Sequence, residues 1–183
     1  MRWIRDDEFI RSGIPMTKFE VRIAAMAALE IDVGDTLIDI GAGTGSISVE
    51  AALQGADVYA VEEKHEAAGL IKQNNTKFNA GIHVVEAGAP AGLKTLPAFN
   101  KCFIGGSGGR LTEIANWADN NINEGGIIAA TFITINNLNT FIAFLKKEDY
   151  ADMGVKLLQV SDMDRLGLLR ANNPIFIVRG RKK

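Results

Sequence analysis

Between residues 36 and 62 two apolar runs end in groups suited to holding a small polar ligand. The first, Thr36-Leu37-Ile38-Asp39-Ile40, runs into Gly41-Ala42-Gly43-Thr44-Gly45. The second, Asp57-Val58-Tyr59-Ala60-Val61, ends in Glu62, 21 residues after Gly41. Glycines let a backbone turn sharply and approach a ligand closely, because no Cβ blocks either. A carboxylate at the end of the second run can accept two hydrogen bonds from the hydroxyls of a ribose. Together these features have the layout of a nucleotide-type site on a parallel sheet.

The spacing separates two ligand classes. A dinucleotide site wants Gly-x-Gly-x-x-Gly, with the pyrophosphate on the helix N-terminus; here the third glycine would fall at Ser46. The actual form is Gly-x-Gly-x-Gly preceded by Asp39, which is typical of S-adenosylmethionine (SAM) sites in class I methyltransferases. SAM carries a sulfonium and an amino-acid tail instead of a phosphate, and an acid such as Asp39 is useful near those cations. The plain alternative is a glycine-rich turn beside an ion-paired surface glutamate.

A second glycine loop, Gly105-Gly106-Ser107-Gly108-Gly109, follows the apolar run Lys101–Ile104 and leads into Arg110. Many methyltransferases acting on exocyclic amines carry Asn/Asp-Pro-Pro-aromatic at this place. Its absence argues against methylation of bases or glutamine. The loop suits a bulky substrate that needs close backbone approach and N–H donors, or else it is a flexible loop with no specific role.

The elements that must position these loops follow from periodicity. Helical spacing predicts helices over 18–30, 45–54, 64–79, 110–121 and 137–148. Thr17 with Glu20 forms a candidate capping box for the first. Apolar runs predict strands over 36–41, 57–62, 82–87, 101–105 and 127–132, then two strand-like segments, Val155–Met163 and Pro174–Arg181, joined as an antiparallel pair. The expected fold is α/β: one doubly wound, Rossmann-like, mostly parallel seven-stranded sheet with a C-terminal antiparallel hairpin. Ligands in such sheets bind at the carboxyl ends of the strands. Those ends carry Gly41–Gly45, Glu62, Gly88-Ala89-Pro90, Gly105–Gly109 and the segment after Phe132.

Bulk properties set the limits. The chain has 183 residues, 47% apolar and 23% charged, which suits one domain with a full core. Its net charge of −2 does not suggest a nucleic-acid binder. The tail Arg179-Gly-Arg181-Lys182-Lys183 is read as a solvated C-terminus. A single cysteine, Cys102, excludes an internal disulfide and a cysteine-based zinc site, and reads as a buried small hydrophobe. The charged N-terminus has no signal-peptide pattern, and no apolar stretch is long enough to cross a bilayer. A cytoplasmic protein is expected. His65, His83, Trp3 and Trp117 read as structural or exposed, and no Ser-His-Asp or His-rich signature is present.

Several of these segments resemble one family. They are Arg5-Asp6-Asp7-Glu8-Phe9-Ile10, Gly13-Ile14-Pro15-Met16-Thr17-Lys18, the Asp-Ile-Gly-Ala-Gly-Thr-Gly-Ser loop, Ala89-Pro90 and Phe-Ile-Gly-Gly-Ser-Gly-Gly. The set resembles the decarboxylating cobalt-precorrin-6B C-15 methyltransferases of anaerobic cobalamin biosynthesis, over nearly the whole chain. The resemblance implies a SAM-dependent C-methyltransferase that methylates C-15 of a cobalt-precorrin and removes CO₂ from its C-12 acetate. The cobalt would belong to the substrate, with no protein metal site. A separate C-5 methyltransferase would act in the pathway, and the chain would form a homotetramer. It also implies SAM contacts at Thr17, Gly41, Ala42, Gly43, Thr44, Gly45, Glu62, Gly88 and Ala89, with residues 1–17 closing over the SAM site. Relatives often show Gly-Asp-Ala-Pro where this chain has Ala87-Gly88-Ala89-Pro90, so an acid that could accept from the adenine amine is missing; Glu86 or a backbone carbonyl is the expected substitute. Gly105, Gly106, Ser107, Gly108, Gly109 and Arg110 are the expected substrate contacts. Lys18, Arg165 and Arg170 are further candidates for the substrate carboxylates. The residue assisting CO₂ loss is not identified. Rival readings are a methyltransferase for another small molecule or for RNA, and a SAM-binding module without catalysis.

Overall fold

Apolar runs rich in Ile, Val and Ala form the centre of one sheet. In the computed structural model, which describes residues 2–183, the strands are β1 (Thr36–Ile40), β2 (Asp57–Glu62), β3 (His83–Glu86), β4 (Phe99–Ile104), β5 (Ile122–Phe132), β6 (Ala151–Leu158), β7 (Ser161–Met163), β8 (Leu169–Ala171) and β9 (Ile175–Arg181). The helices are α1 (Phe19–Leu29), α2 (Ser46–Leu53), α3 (His65–Phe78), α4 (Leu111–Asn121) and α5 (Ile135–Lys147). Seven strands pair in the order β3-β2-β1-β4-β5-β9-β6, while β7 and β8 form a separate hairpin. β1 to β5 are mutually parallel, and β9 runs antiparallel to both β5 and β6. The expected doubly wound sheet with its antiparallel finish is the observed one.

Strand alternation sends successive side chains to opposite faces. Leu37, Val58, Ala60, Phe103 and Ala129 join α1, α2 and α3 on one face. Ile38, Ile40, Cys102, Ile104, Ile128 and Val178 join α4 and α5 on the other. Cys102 is fully buried there, and Trp117 stacks on Phe99 at 5.5 Å. The strand order reverses between β1 and β4, so their carboxyl ends open a crevice.

Several local expectations need correction. The capping box at Thr17 does not form: the helix starts one residue later than the box needs, with Lys18 at the N-cap and no side-chain cap bond, and the Thr17 carbonyl accepts from Arg22 Nη1 at 2.8 Å. β5 begins at Ile122, earlier than predicted, since Gly125 and Gly126 carry the strand through an irregular register instead of ending it. Val155–Met163 is two strands. Its second part pairs with Leu169–Ala171, and this hairpin leaves Met163, Leu166, Leu168 and Leu169 exposed. The basic tail is not free: Arg179 and Arg181 pair with Glu30, Lys182 with Asp119 and Lys183 with Asp149.

No helix among the described residues is long and apolar enough to cross a membrane. Among the same residues, no three His, Cys, Asp or Glu side chains gather as a metal site needs. His65 bonds Glu86, and His83 stacks on Tyr59 beside Asp57.

Candidate active site at the sheet crevice

A cavity of about 510 Å³ opens at the carboxyl ends of β1, β2, β3 and β4. Its floor is built by two glycine loops that touch. Gly41 has φ +70°, and a Cβ there would lie 2.4 Å from the Gly106 carbonyl oxygen. The loops are stitched to the strands as well. Gly41 N–H and Ala42 N–H donate to the Val61 carbonyl, and Gly105 N–H donates to that of Ile40. Gly41 therefore needs to be glycine to bring the β1 and β4 ends within van der Waals contact.

Glu62 is nearly buried at the cavity edge. Its Oε2 accepts from Gly43 N–H and its Oε1 from Lys64 N–H, each at 3.0 Å. A carboxylate has about four acceptor positions. Two are used in orienting it, so two remain for hydroxyls of a ligand.

Asp39 borders the cavity from β1 and is 1% exposed. Its Oδ2 accepts from Ser48 Oγ at 2.5 Å, while Oδ1 is buried without a partner. Burial pushes this carboxyl up to about 7, against the opposing Ser48 hydrogen bonds, and the nearby Glu62 charge pushes the same way. A buried carboxylate with an empty oxygen is a site for a cation or a donor. The set of a hydroxyl acceptor, a cation acceptor and a backbone cradle fits a nucleoside that carries positive charge.

The N-terminal segment forms a further wall through Ile14, Pro15, Met16 and Thr17, and a Cβ at Gly43 would stand 3.3 Å from the Pro15 carbonyl. Two buried residues that sequence reading missed fasten this segment. Asn74 of α3 exchanges hydrogen bonds of 2.9 Å with both backbone groups of Ile10 and donates to the Thr44 carbonyl at 2.9 Å. Arg22 of α1 is fully buried and donates to Glu50, Asp6 and the carbonyls of Thr17 and Ile4. The signal available was a polar residue on an otherwise apolar helix face.

The expected residues divide accordingly. Thr17, Gly41, Ala42, Gly43, Glu62 and Ala89 line the cavity, as do Gly105, Gly106, Ser107, Gly108 and Arg110. Thr44, Gly45, Gly88 and Gly109 do not line it. Lys18, Arg165 and Arg170 lie away from it, and Arg170 instead bonds Asp164 on the exposed hairpin. Glu86 does not face the cavity; it is engaged by His65 and Lys72. Arg110 is at the rim but already paired, with Glu63 at 2.6 Å.

Comparison with known proteins places this architecture. Residues 7–179 match the model of the precorrin methyltransferase domain. The chain is 36% identical to the cobalt-precorrin-6B C(15)-methyltransferase (decarboxylating) of Salmonella typhimurium, over 98% of this chain and 96% of that one. Its fold superposes with a TM-score of 0.94 on the precorrin-6y C5,15-methyltransferase of Geobacter metallireducens, 33% identical, covering 99% of this chain and 97% of that one. It superposes at 0.90 on the precorrin 8W decarboxylase of Methanobacterium thermoautotrophicum, 28% identical, covering 97% and 98% respectively. With matching sequence, matching fold and a cavity at the β1–β4 crevice, the chain belongs to the precorrin methyltransferase family.

Proposed function

We propose that this chain is a cytoplasmic SAM-dependent enzyme that methylates C-15 of a cobalt-precorrin and removes CO₂ from its C-12 acetate. The observation that carries the reading is the cavity itself: a glycine-walled nucleoside cleft whose edge holds an oriented carboxylate, Glu62, and an unpartnered buried one, Asp39. The relative from Salmonella, matched over 98% of this chain and 96% of its own, bears the name of this reaction.

SAM supplies an electrophilic methyl that needs alignment with the attacking ring carbon more than activation. The chain's residues suit that task. Glu62 offers two acceptor positions to the ribose, and the Asp39 carboxylate beside the cavity, once ionised, sets a negative charge near the positive charges of the donor. The Gly105–Gly108 loop leaves room for a wide substrate against the β1 loop. Ile14–Thr17 cover the donor from the N-terminal side and keep water from it. The exposed apolar hairpin supports self-association, and light scattering tests whether it gives the tetramer that the resemblance implies.

Asp39 gives the reading a pH signature. In the free protein its carboxyl titrates near 7, whereas a donor cation needs it ionised. SAM affinity should rise about tenfold from pH 6 to pH 8, with a proton released on binding. The stability of the free protein should move the other way. The folded state holds this proton more tightly than the unfolded chain, so stability falls as pH rises from the ordinary carboxyl range through 7. Calorimetry in buffers of different ionisation enthalpy measures both proton release and affinity. Asp39→Asn should flatten the profile; a wild-type profile as flat as the variant's would contradict the role.

The reaction is tested by mass spectrometry of the precorrin after anaerobic incubation with the protein and SAM. A gain of one methyl and a loss of one CO₂ is the expected change.

A further inference from the structure

Glu63 and Arg110 stand on different loops, one after β2 and one after β4, and both line the cavity. They meet at 2.6 Å, Arg110 Nη2 donating to Glu63 Oε2. The pair lies against two glycines. A Cβ at Gly88 would stand 3.3 Å from Glu63 Oε2, and one at Gly108 would stand 3.3 Å from Glu63 Oε1. The carboxylate therefore fills the gap that a side chain at either position would enter. Arg110 is its only hydrogen-bond donor among the described residues, so Oε1 is free to accept.

Glu63 is the next residue after Glu62 and reaches toward the loop after β3, where Ala87 and Ala89 line the same cavity. A nucleoside held through its ribose at Glu62 has room for its base beside that loop. We propose that Glu63, positioned by Arg110, recognises the 6-amino group of the adenine in the bound methyl donor. This rests on the reading of the cavity as a SAM site. An adenine amine donates to a carboxylate, whereas a 6-oxo base sets an acceptor against one, so the pair favours adenine. A site built around such a bond rejects an analogue that cannot make it. The ion pair sets the direction of the glutamate, which makes Arg110 a positioning residue.

The test compares S-adenosylhomocysteine with S-inosylhomocysteine, its 6-oxo analogue, by calorimetry on the full chain. Wild type should prefer the adenosyl form by about tenfold or more. Glu63→Ala should bring the ratio to near one, chiefly by weakening the adenosyl ligand. Arg110→Met should reduce the ratio only in part. Adding Gly88→Asp to Glu63→Ala should restore it, because the new carboxylate enters the vacated space. An unchanged ratio in Glu63→Ala, with wild type binding normally, overturns this proposal and leaves the SAM site standing. If wild type binds neither ligand, the SAM reading fails and this proposal fails with it.

Discussion

Gly41→Ala is expected to destroy methyl-donor binding while the rest of the fold persists in weakened form. Two costs coincide at this position. The backbone is left-handed, at φ +70°, which costs a residue with a Cβ about 1–2 kcal/mol. The Cβ itself would lie 2.4 Å from the Gly106 oxygen, 2.7 Å from its nitrogen and 2.8 Å from its Cα. All three are backbone atoms, so no side chain can swing aside. Gly105 and Gly106 also donate to the Ile40 carbonyl, which ties the obstructed loop to β1. Forcing these strand ends apart adds about 1–3 kcal/mol and opens the cavity floor. The expected result is a melting temperature lower by about 5–15 °C and no measurable S-adenosylhomocysteine binding by calorimetry. Normal affinity in Gly41→Ala would show that the contact between the two glycine loops does not build the site. Gly106 is the informative contrast, since a Cβ there would stand 3.9 Å from Gly41 Cα, an ordinary contact.

Arg22→Met should be the most destabilising single change away from the cavity. The guanidinium is fully buried and faces Glu50, itself 2% exposed. Glu50 Oε1 also accepts from Ile4 N–H at 3.0 Å, and burial already raises its carboxyl above the usual range. Removing the arginine leaves a buried carboxylate without its counter-charge, which costs about 3–5 kcal/mol. It also frees the carbonyls of Ile4 and Thr17, so the segment that lines the cavity through Ile14–Thr17 loses its fastening. Thermal unfolding should fall by about 10 °C, and the affinity for S-adenosylhomocysteine should drop with it. Adding Glu50→Gln removes the stranded charge and should recover much of the stability but not the affinity. An unchanged melting temperature in Arg22→Met would contradict the clamp.

What the sequence disclosed and what it hid divide along the range of the forces involved. β1, β2 and their loops were legible because apolar runs, glycine spacing and the terminal acid are all local. Glu62 was legible as a carboxylate at the cavity edge for the same reason. Arg22 and Asn74 showed only as polar residues on apolar helix faces, and their roles with Glu50 and Ile10 stayed hidden because these partners lie 28 and 64 residues away. Arg110 was placed at the correct rim, yet its partner Glu63 is 47 residues distant, so its pairing was hidden. The Thr17 capping box had the right residue types and failed because the helix begins one residue further on, with Lys18 at its N-cap. The β7–β8 hairpin escaped notice because its apolar residues do not alternate against a core; they face solvent.

The most direct measurement of the central claim follows the substrate itself. The purified protein is incubated anaerobically with SAM and cobalt-precorrin-6B, and with its C-5-methylated successor, and the tetrapyrrole is weighed by mass spectrometry. The expected product is heavier by one methyl and lighter by one CO₂, with one S-adenosylhomocysteine formed for each. Tetrapyrrole of unchanged mass in both reactions, from protein shown by calorimetry to bind SAM, would contradict the proposed reaction.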